Sequence, residues 1–315
     1  MNRSFVIGGA GFIGSHLVDR LVQSGSVTIY DNLSIGKSEF IQSALDSGKA
    51  SLIEADVLDL ETLLRAMKGH QRVYHLAANP EARWGLENPR LDLEQGTIAT
   101  WNVLEAMRRS KVPELVFASS GTVYGDTSNV CSEGDLGELP ISLYGASKLA
   151  GEALVAAFVE CFGIRAWIFR FGNVVGPRGT HGAALDFFKK LRATRGVELE
   201  VLGDGSQAKP YVHVTDCVDG ILFVTEHADA TLGVFNIAPS DSTSVRHIAE
   251  QCVRVSPFPN ASVRYTGGDR GWPGDVPQSR LDGSRLAQLG WRPKNTSQQA
   301  IDRAIEELAR EVFAP

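Results

Sequence analysis

The chain begins with a short apolar run, Ser4-Phe5-Val6-Ile7, that leads directly into Gly8-Gly9-Ala10-Gly11-Phe12-Ile13-Gly14 and then into a helical apolar pattern through Val22. A strand, a glycine turn and a helix in immediate succession commit this end of the molecule to a parallel α/β arrangement, since the helix must pack back over the sheet its strand belongs to. The glycines have separate tasks: Gly8 takes the turn, Gly11 leaves the backbone open to a pyrophosphate, and Gly14 lets the helix approach the strand. By itself the G-x-x-G-x-x-G spacing is a weak signal. It is strengthened by Val27-Thr28-Ile29-Tyr30, which reads as a second strand ending in Asp31. A carboxylate there accepts hydrogen bonds from an adenosine ribose and repels a 2′-phosphate, so NAD is favoured over NADP. Lys37 and Ser38 are the nearby groups that would bind a phosphate instead. Leu52 to Val57 reads as a third strand, whose Asp56 either reaches the adenine edge or caps a helix.

A second constellation lies downstream. Tyr144 and Lys148 share one helix face at i and i+4. An ammonium beside a phenol favours the phenolate, and bringing a tyrosine from about 10 toward neutrality takes roughly 4 kcal/mol, which yields a base able to work near pH 7. Leu115 to Ala118 is an apolar strand that opens into Ser119-Ser120-Gly121-Thr122. The carboxyl ends of parallel strands are where open α/β sheets bind ligands, and Ser120 is placed to exchange a hydrogen bond with a substrate hydroxyl.

Strand and helix patterns alternate through about residue 170, after which glycine and proline loops dominate. The expected fold is α/β: a Rossmann-type doubly wound parallel sheet with a smaller, interleaved C-terminal substrate lobe. Residues 1–174 and about 210–238 are assigned to the NAD-binding domain, and about 175–209 and 239–315 to the lobe. Residues 234–238 are expected to return a strand to the main sheet, and 181–194 to form an amphipathic helix packed through Phe187, Phe188 and Leu191. No apolar stretch reaches the roughly 20 residues of a membrane span, and the N-terminus enters a strand instead of a signal peptide, so a cytoplasmic protein is expected. The net charge of −6 argues against nonspecific nucleic-acid binding. Cys131, Cys161, Cys217 and Cys252 lack metal or disulfide spacing and are read as free thiols; His75, ending an apolar strand, is read as a packed residue, and no metal is expected.

Taken in order, GGAGFIGSHL at 8–17, YDNLS at 30–34, HLAANP at 75–80, SSGTVYG at 119–125, SLYGASKLAGE at 142–152, RFGNVVGPR at 170–178, GDGSQAKPYVHVTD at 203–216 and RGWPGDVP at 270–277 resemble the extended short-chain dehydrogenase/reductases that act on nucleotide sugars, the UDP-hexose 4-epimerases most of all. The resemblance runs nearly end to end. It implies Tyr144 as base, Lys148 as the group that binds the nicotinamide ribose and lowers the tyrosine pKa, and Ser120 as a partner in proton transfer. It also implies an NAD site lined by Gly8, Gly11, Phe12, Ile13, Gly14, Asp31, Asn32, Ser34, Gly36, Lys37, Asp56, Val57, Leu76, Ala77, Ala78, Gln95, Phe171 and Gly172, together with the catalytic residues. Thr122, Asn173, Lys209, Arg270, Asp275 and Ser279 would bind a nucleotide-sugar substrate, UDP-linked by this likeness.

Two departures touch the cofactor surroundings: Gly96 stands where many relatives carry an asparagine, and Asn79-Pro80-Glu81 stands where the galactose epimerases tend to place a lysine. The reaction class is narrowed by Gly121 and Thr122. Dehydratases of this group carry an Asp-Glu pair there for water elimination, decarboxylases keep an acidic residue nearby, and this chain has neither beside Ser120. Transfer of hydride at one carbon remains well provided for; a nucleotide-sugar dehydratase, a 2-epimerase or a uronate 4-epimerase with the same core is the alternative, and a non-catalytic NAD(P)-binding sensor and an NADP-dependent reductase, which Asp31 argues against, are the other classes. Ser279 falls where a small side chain leaves room for an N-acetyl group at the sugar C2. A homodimer is expected by resemblance, through Leu149, Ala153, Ala156, Ala157, Val103, Leu104 and Met107.

Overall fold

The computed structural model describes residues 2–135 and 138–314. The chain divides into two compact units: one of residues 1–123, 143–170 and 221–235, the other of 124–142, 171–220 and 236 onward. The first is built on β1 (Asn2–Ile7), β2 (Gly25–Asp31), β3 (Ala50–Glu54), β4 (Arg72–His75), β5 (Glu114–Ser120) and β6 (Arg165–Phe171). With the strand Leu232–Ile237 they form a seven-stranded sheet in the order Leu232–Ile237, β6, β5, β4, β1, β2, β3. The strand expected at 234–238 therefore does return to the main sheet.

Pairing is parallel, with Val6 opposite Ile29 of β2 and Tyr74 of β4. Phe5, Val6 and Ile7 are all buried, as in a sheet covered on both faces. The covering helices are α1 (Phe12–Leu21), α2 (Gln42–Asp46), α3 (Leu60–Met67), α4 (Trp84–Glu87), α5 (Pro89–Asp92), α6 (Ala99–Ser110) and α7 (Leu143–Phe162). One core cluster joins Phe5, Ile7, Leu63, Met67, Phe117 and Val155 with Val103, Leu104 and Met107 of α6. That corrects the expectation for the last three: they face the core and offer nothing to a second copy. Ala153 and Ala157 of α7 are exposed, and Leu149 and Ala156 half-buried. Sheet order reverses direction between β1 and β4, which opens a crevice at their carboxyl ends, the place where such sheets take ligands.

The second unit packs α8 (Ala183–Ala193) with the helices Val245–Val255 and Ser297–Phe313 around Phe187, Phe188, Leu191, Leu199, Ile248, Ile301 and Ile305. Short two-stranded sheets pair Asn173–Val175 with Tyr211–His213 and Ala208–Lys209 with Thr243–Ser244. This grouping departs from the expected boundaries at 124–142 and 210–220. The reason for the first is local: Tyr124 Oη donates to Asn236 Oδ1 at 2.8 Å and the Asn236 N–H to Glu133 at 2.9 Å, so the segment after Val123 is tied to residues past 235. Among the described residues no helix is long and apolar enough to cross a membrane, and no His, Cys, Asp and Glu group could hold a metal. None of the four cysteines is in a disulfide, and Cys161 alone of the four is exposed.

Candidate active site

In the first unit, the glycine turn is held in place by close packing. Gly8 adopts φ +78°, and a Cβ there would lie 2.7 Å from the Ala77 nitrogen, so β1 and the segment after β4 approach as only glycine allows. A methyl on Gly14 would overlap the Gly8 carbonyl, which fixes how near α1 comes to the turn. Gly11, by contrast, has only the Gly8 oxygen near its missing side chain, at 3.3 Å. It begins α1 without a side-chain cap and without an acidic residue in the first turn, so the leading N–H groups have no anionic partner of their own. Asp31 ends β2, its two oxygens accepting from the N–H groups of Ala10 and Leu33 at 2.9 Å each. Each oxygen keeps a second lone pair, the capacity a ribose diol requires. Burial raises the Asp31 pKa while those two N–H bonds pull it back.

The loop beyond Asp31 folds back over the same turn. Gly36 lies against Ala10 and Asp31, and Lys37 N–H donates to the Ala10 carbonyl at 3.0 Å. Asn32 accepts from Ser34 through Oδ1 and donates to Asp56 Oδ2 at 3.0 Å. Asp56 Oδ1 accepts from the Leu58 N–H, whereas the cap of α3 is Asp59, which corrects the capping alternative for Asp56. The Lys37 ammonium pairs with Glu39 at 3.2 Å. The carboxylate at Asp31 disfavours a 2′-phosphate. An uncapped helix start, an open glycine and a diol-binding carboxylate together fit NAD. Val57 is buried, Phe12, Ile13, Leu76, Ala77 and Ala78 are half-buried around this turn, and Gln95 stands half-buried in the segment after α5. Phe171 and Gly172 fall in the second unit.

At the carboxyl end of β5, the Thr122 hydroxyl and N–H both donate to Ser120 Oγ, at 3.0 and 3.2 Å, and the Ser120 hydroxyl is hydrogen-bonded to Tyr144. Lys148 follows on α7, only 3 % exposed, its Nζ 5.8 Å from the Tyr144 ring centroid and donating to the Ala118 carbonyl at 2.6 Å. The proximity anticipated from i, i+4 spacing is therefore present. Its electrostatic consequence differs. Burial pushes Tyr144 up to about 12, with the Ser120 hydrogen bond lowering it and Asp92 raising it further. Burial also pushes Lys148 down to about 8, against the pull of Glu152 and Asp92. Desolvation outweighs the pairing because the ammonium is engaged by a carbonyl in an apolar setting, over the Phe117 ring at 5.3 Å. His75 is neutral, pushed down to about 3 by burial and by Lys148, and contacts Thr100 at 3.2 Å.

Two carboxylates beside this group were not among the expected site residues. Glu152 receives a fork of hydrogen bonds from Arg170 and a 2.5 Å bond from Ser119. It lies one turn beyond Lys148, so helix periodicity is the signal that finds it. Asp92 is brought in only by the tertiary fold; it supplies the acidic group near Tyr144 that was not expected from the residues around Ser120. Between α5 and α6 the residues Leu93–Ile98 form a π-helical segment, and a side chain at Gly96 would run into Ser147 of α7. An asparagine cannot be accommodated there without moving Ser147, whose hydroxyl donates to the Tyr144 carbonyl at 2.8 Å.

In the second unit the candidate substrate residues form a charged chain. Lys209 pairs with Asp275 at 2.5 Å, Arg270 donates to the Asp275 carbonyl at 2.9 Å, and the other end of its guanidinium meets Asp126 at 2.7 Å. Both cations thus come with a carboxylate in place, which the residues alone did not reveal for Arg270. Asn173 is hydrogen-bonded to Tyr211, and Ser279 N–H donates to the Ala208 carbonyl at 3.2 Å.

Known proteins resemble this chain over nearly its whole length. The profile of the NAD dependent epimerase/dehydratase family matches residues 4–238. A UDP-glucose 4-epimerase of Mycolicibacterium smegmatis is 33% identical over 96% of this chain and 97% of its own length. A crystal structure of a UDP-galactose 4-epimerase superposes with a TM-score of 0.88 at 39% identity, over 99% of this chain and 100% of that one. A UDP-glucuronic acid 4-epimerase from Bacillus cereus, solved with UDP-glucuronic acid and NAD, gives a TM-score of 0.88 at 27% identity over 98% and 99% of the two chains. A glycine turn and β2 carboxylate that fit NAD, a Ser-Tyr-Lys group at the carboxyl edge of the sheet and these likenesses lead to one conclusion: the chain belongs to the NAD dependent epimerase/dehydratase family, and NAD is its cofactor.

Proposed function

We propose that the protein interconverts the C4 epimers of a UDP-hexose, UDP-glucose and UDP-galactose first, through a transient 4-keto sugar. The observation that carries this reading is the hydrogen-bonded Ser120–Tyr144 pair with Lys148 one turn away, flanked by Gly121 and Thr122 where a dehydratase of this group needs an acid and a base. In the cycle, the Tyr144 phenolate takes the proton of the C4 hydroxyl, with Ser120 sharing it. NAD held by the glycine turn would supply a hydride acceptor and donor at C4 and a positive charge near the tyrosinate. Between the two transfers the keto sugar presents its other face, and Tyr144 gives the proton back to the C4 oxygen. Lys148 holds the nicotinamide ribose, and the Gly8–Gly14 turn holds the pyrophosphate through backbone N–H groups.

For the nucleotide we assign Lys209 and Arg270 to the diphosphate, the lysine as a point charge and the arginine as a fork, with Asp275 and Asn173 orienting neighbouring groups. By resemblance Thr122 is assigned to substrate binding, and the small Ser279 would admit an N-acetyl group at C2. Homodimer formation is supported by exposed Trp84, Leu86, Leu93, Ile98 and Trp101 on and around α4 to α6, an apolar set that a second copy of this unit would cover. A cytoplasmic location is part of the same proposal. Likeness to the glucuronate enzyme favours a second reading, C4 epimerisation of a UDP-uronate. The test is incubation with UDP-glucose, UDP-GlcNAc, UDP-GlcA and the matching CDP and GDP sugars with catalytic NAD, products being separated and assigned by NMR. A C4 epimer of unchanged mass, absent with Tyr144→Phe, is the expected result. A product lighter by water or carbon dioxide overturns it.

A further inference from the structure

Asp92, at the end of α5, is a carboxylate that the cycle above does not use. It is 2 % exposed, yet only one of its oxygens is satisfied: Oδ1 accepts from Asn79 Nδ2 at 3.0 Å, and Oδ2 is buried with no hydrogen-bond partner. The site is shaped to hold it. Asn79, itself 4 % exposed, is locked by donating to the Glu81 carbonyl at 3.0 Å and accepting from the Glu81 N–H at 3.1 Å. Gly85 of α4 sits directly against Oδ2, where any larger residue would overlap the carboxylate. A charge sequestered this way is costly unless an opposite charge shares the site. Burial raises the Asp92 pKa, and the Asn79 hydrogen bond and the Lys148 charge pull it back toward the carboxylate; its charge in turn raises Tyr144, and both partners are on α7. Glu152 is the other carboxylate acting on Lys148. Glu152 is already engaged by Arg170 and Ser119, which leaves Asp92 as the carboxylate whose charge is not otherwise matched by a cation.

We propose that Asp92 is a positioning residue of the reaction: a buried countercharge, presented by Asn79 and Gly85, that keeps Lys148 in its ammonium form and sets the ionisation of Tyr144. This rests on the reading of Tyr144 and Lys148 as the reactive pair. The sign is testable. A negative charge raises the pKa of both the ammonium and the phenol. Its removal lets Tyr144 ionise at lower pH and lets Lys148 lose its proton at lower pH, so the acid and alkaline limbs of the rate profile move together.

The experiment is the pH dependence of kcat on the epimerised sugar for Asp92→Asn, Asn79→Ala and Tyr144→Phe, beside thermal unfolding and bound NAD content. Asp92→Asn is expected to shift both limbs of kcat to lower pH and to lower turnover on the alkaline side roughly tenfold, at unchanged NAD content. Asn79→Ala, which withdraws the hydrogen bond favouring the carboxylate, is expected to shift the limbs the same way by less. A uniform loss with unmoved limbs in Asp92→Asn, or an unaltered profile in both variants, overturns the inference while Tyr144→Phe stays inactive. Persistent turnover in Tyr144→Phe overturns the underlying reading instead.

Discussion

Charge is handled differently in the two units. Lys148 is buried and Tyr144 half-buried, and loss of solvent moves each toward its neutral form: the phenol up to about 12, the ammonium down to about 8. Around Lys209 and Arg270 each cation has its own carboxylate, Asp275 and Asp126, and more of the charge meets solvent. The first arrangement suits a group that must change protonation as it works, since a small change of surroundings shifts a desolvated pair. The second suits groups that must stay charged and stay aimed, since a carboxylate partner orients the cation before any phosphate arrives. On the proposed roles, chemistry and grip would follow from opposite treatments of the same kind of side chain.

The largest test of that contrast is Tyr144→Phe. It removes only a hydroxyl, and kcat is expected to fall roughly 10²- to 10⁴-fold with unfolding temperature unchanged, measured by product formation and calorimetry. A fall of only a few-fold would mean that the dry site is structural.

Lys148→Met sharpens the same point through stability. Because the folded pKa of about 8 lies below the ordinary 10.5, the unfolded chain binds more protons between those values. Stability of the cofactor-free protein therefore rises with pH across that window and is lowest below it. Replacing the ammonium by an apolar side chain is expected to flatten this rise in the cofactor-free protein. Denaturant titrations at several pH values read this directly. Equal slopes for both proteins would show that Lys148 is not the titrating group.

In the second unit the effect should appear in binding. Arg270→Ala is expected to raise KM about tenfold with kcat little changed, the signature of lost uniform binding. A drop in kcat alone would move Arg270 from grip to chemistry. The smallest effect concerns Gly96. Placing alanine against Ser147 is expected to cost about 1 kcal/mol of stability and to weaken NAD retention only slightly, as read by denaturation and cofactor content.

The alternation of strands and helices, the glycine turn with Asp31, the returning strand near residue 235 and the Ser120, Tyr144 and Lys148 set were all legible in the chain, because each rests on short-range periodicity or on a motif whose members are close in sequence. Residue type and spacing were enough to say that Tyr144 and Lys148 meet. They were not enough to say which way the protons lean, since desolvation depends on what the rest of the fold places around a group. For the same reason Val103, Leu104 and Met107, apolar at helical spacing, were read as a contact face when they belong to the core: periodicity identifies a face of a helix without saying what covers it. Asp126 beside Arg270 and Asp92 beside Lys148 are separated from their partners by long stretches of chain, and no local pattern marks either one. By itself, then, the sequence determined the sheet, the glycine turn and the closeness of Tyr144 to Lys148; the tertiary structure alone decided the charge states of that pair, because burial and long-range pairing are properties of the packed chain and not of any segment in it.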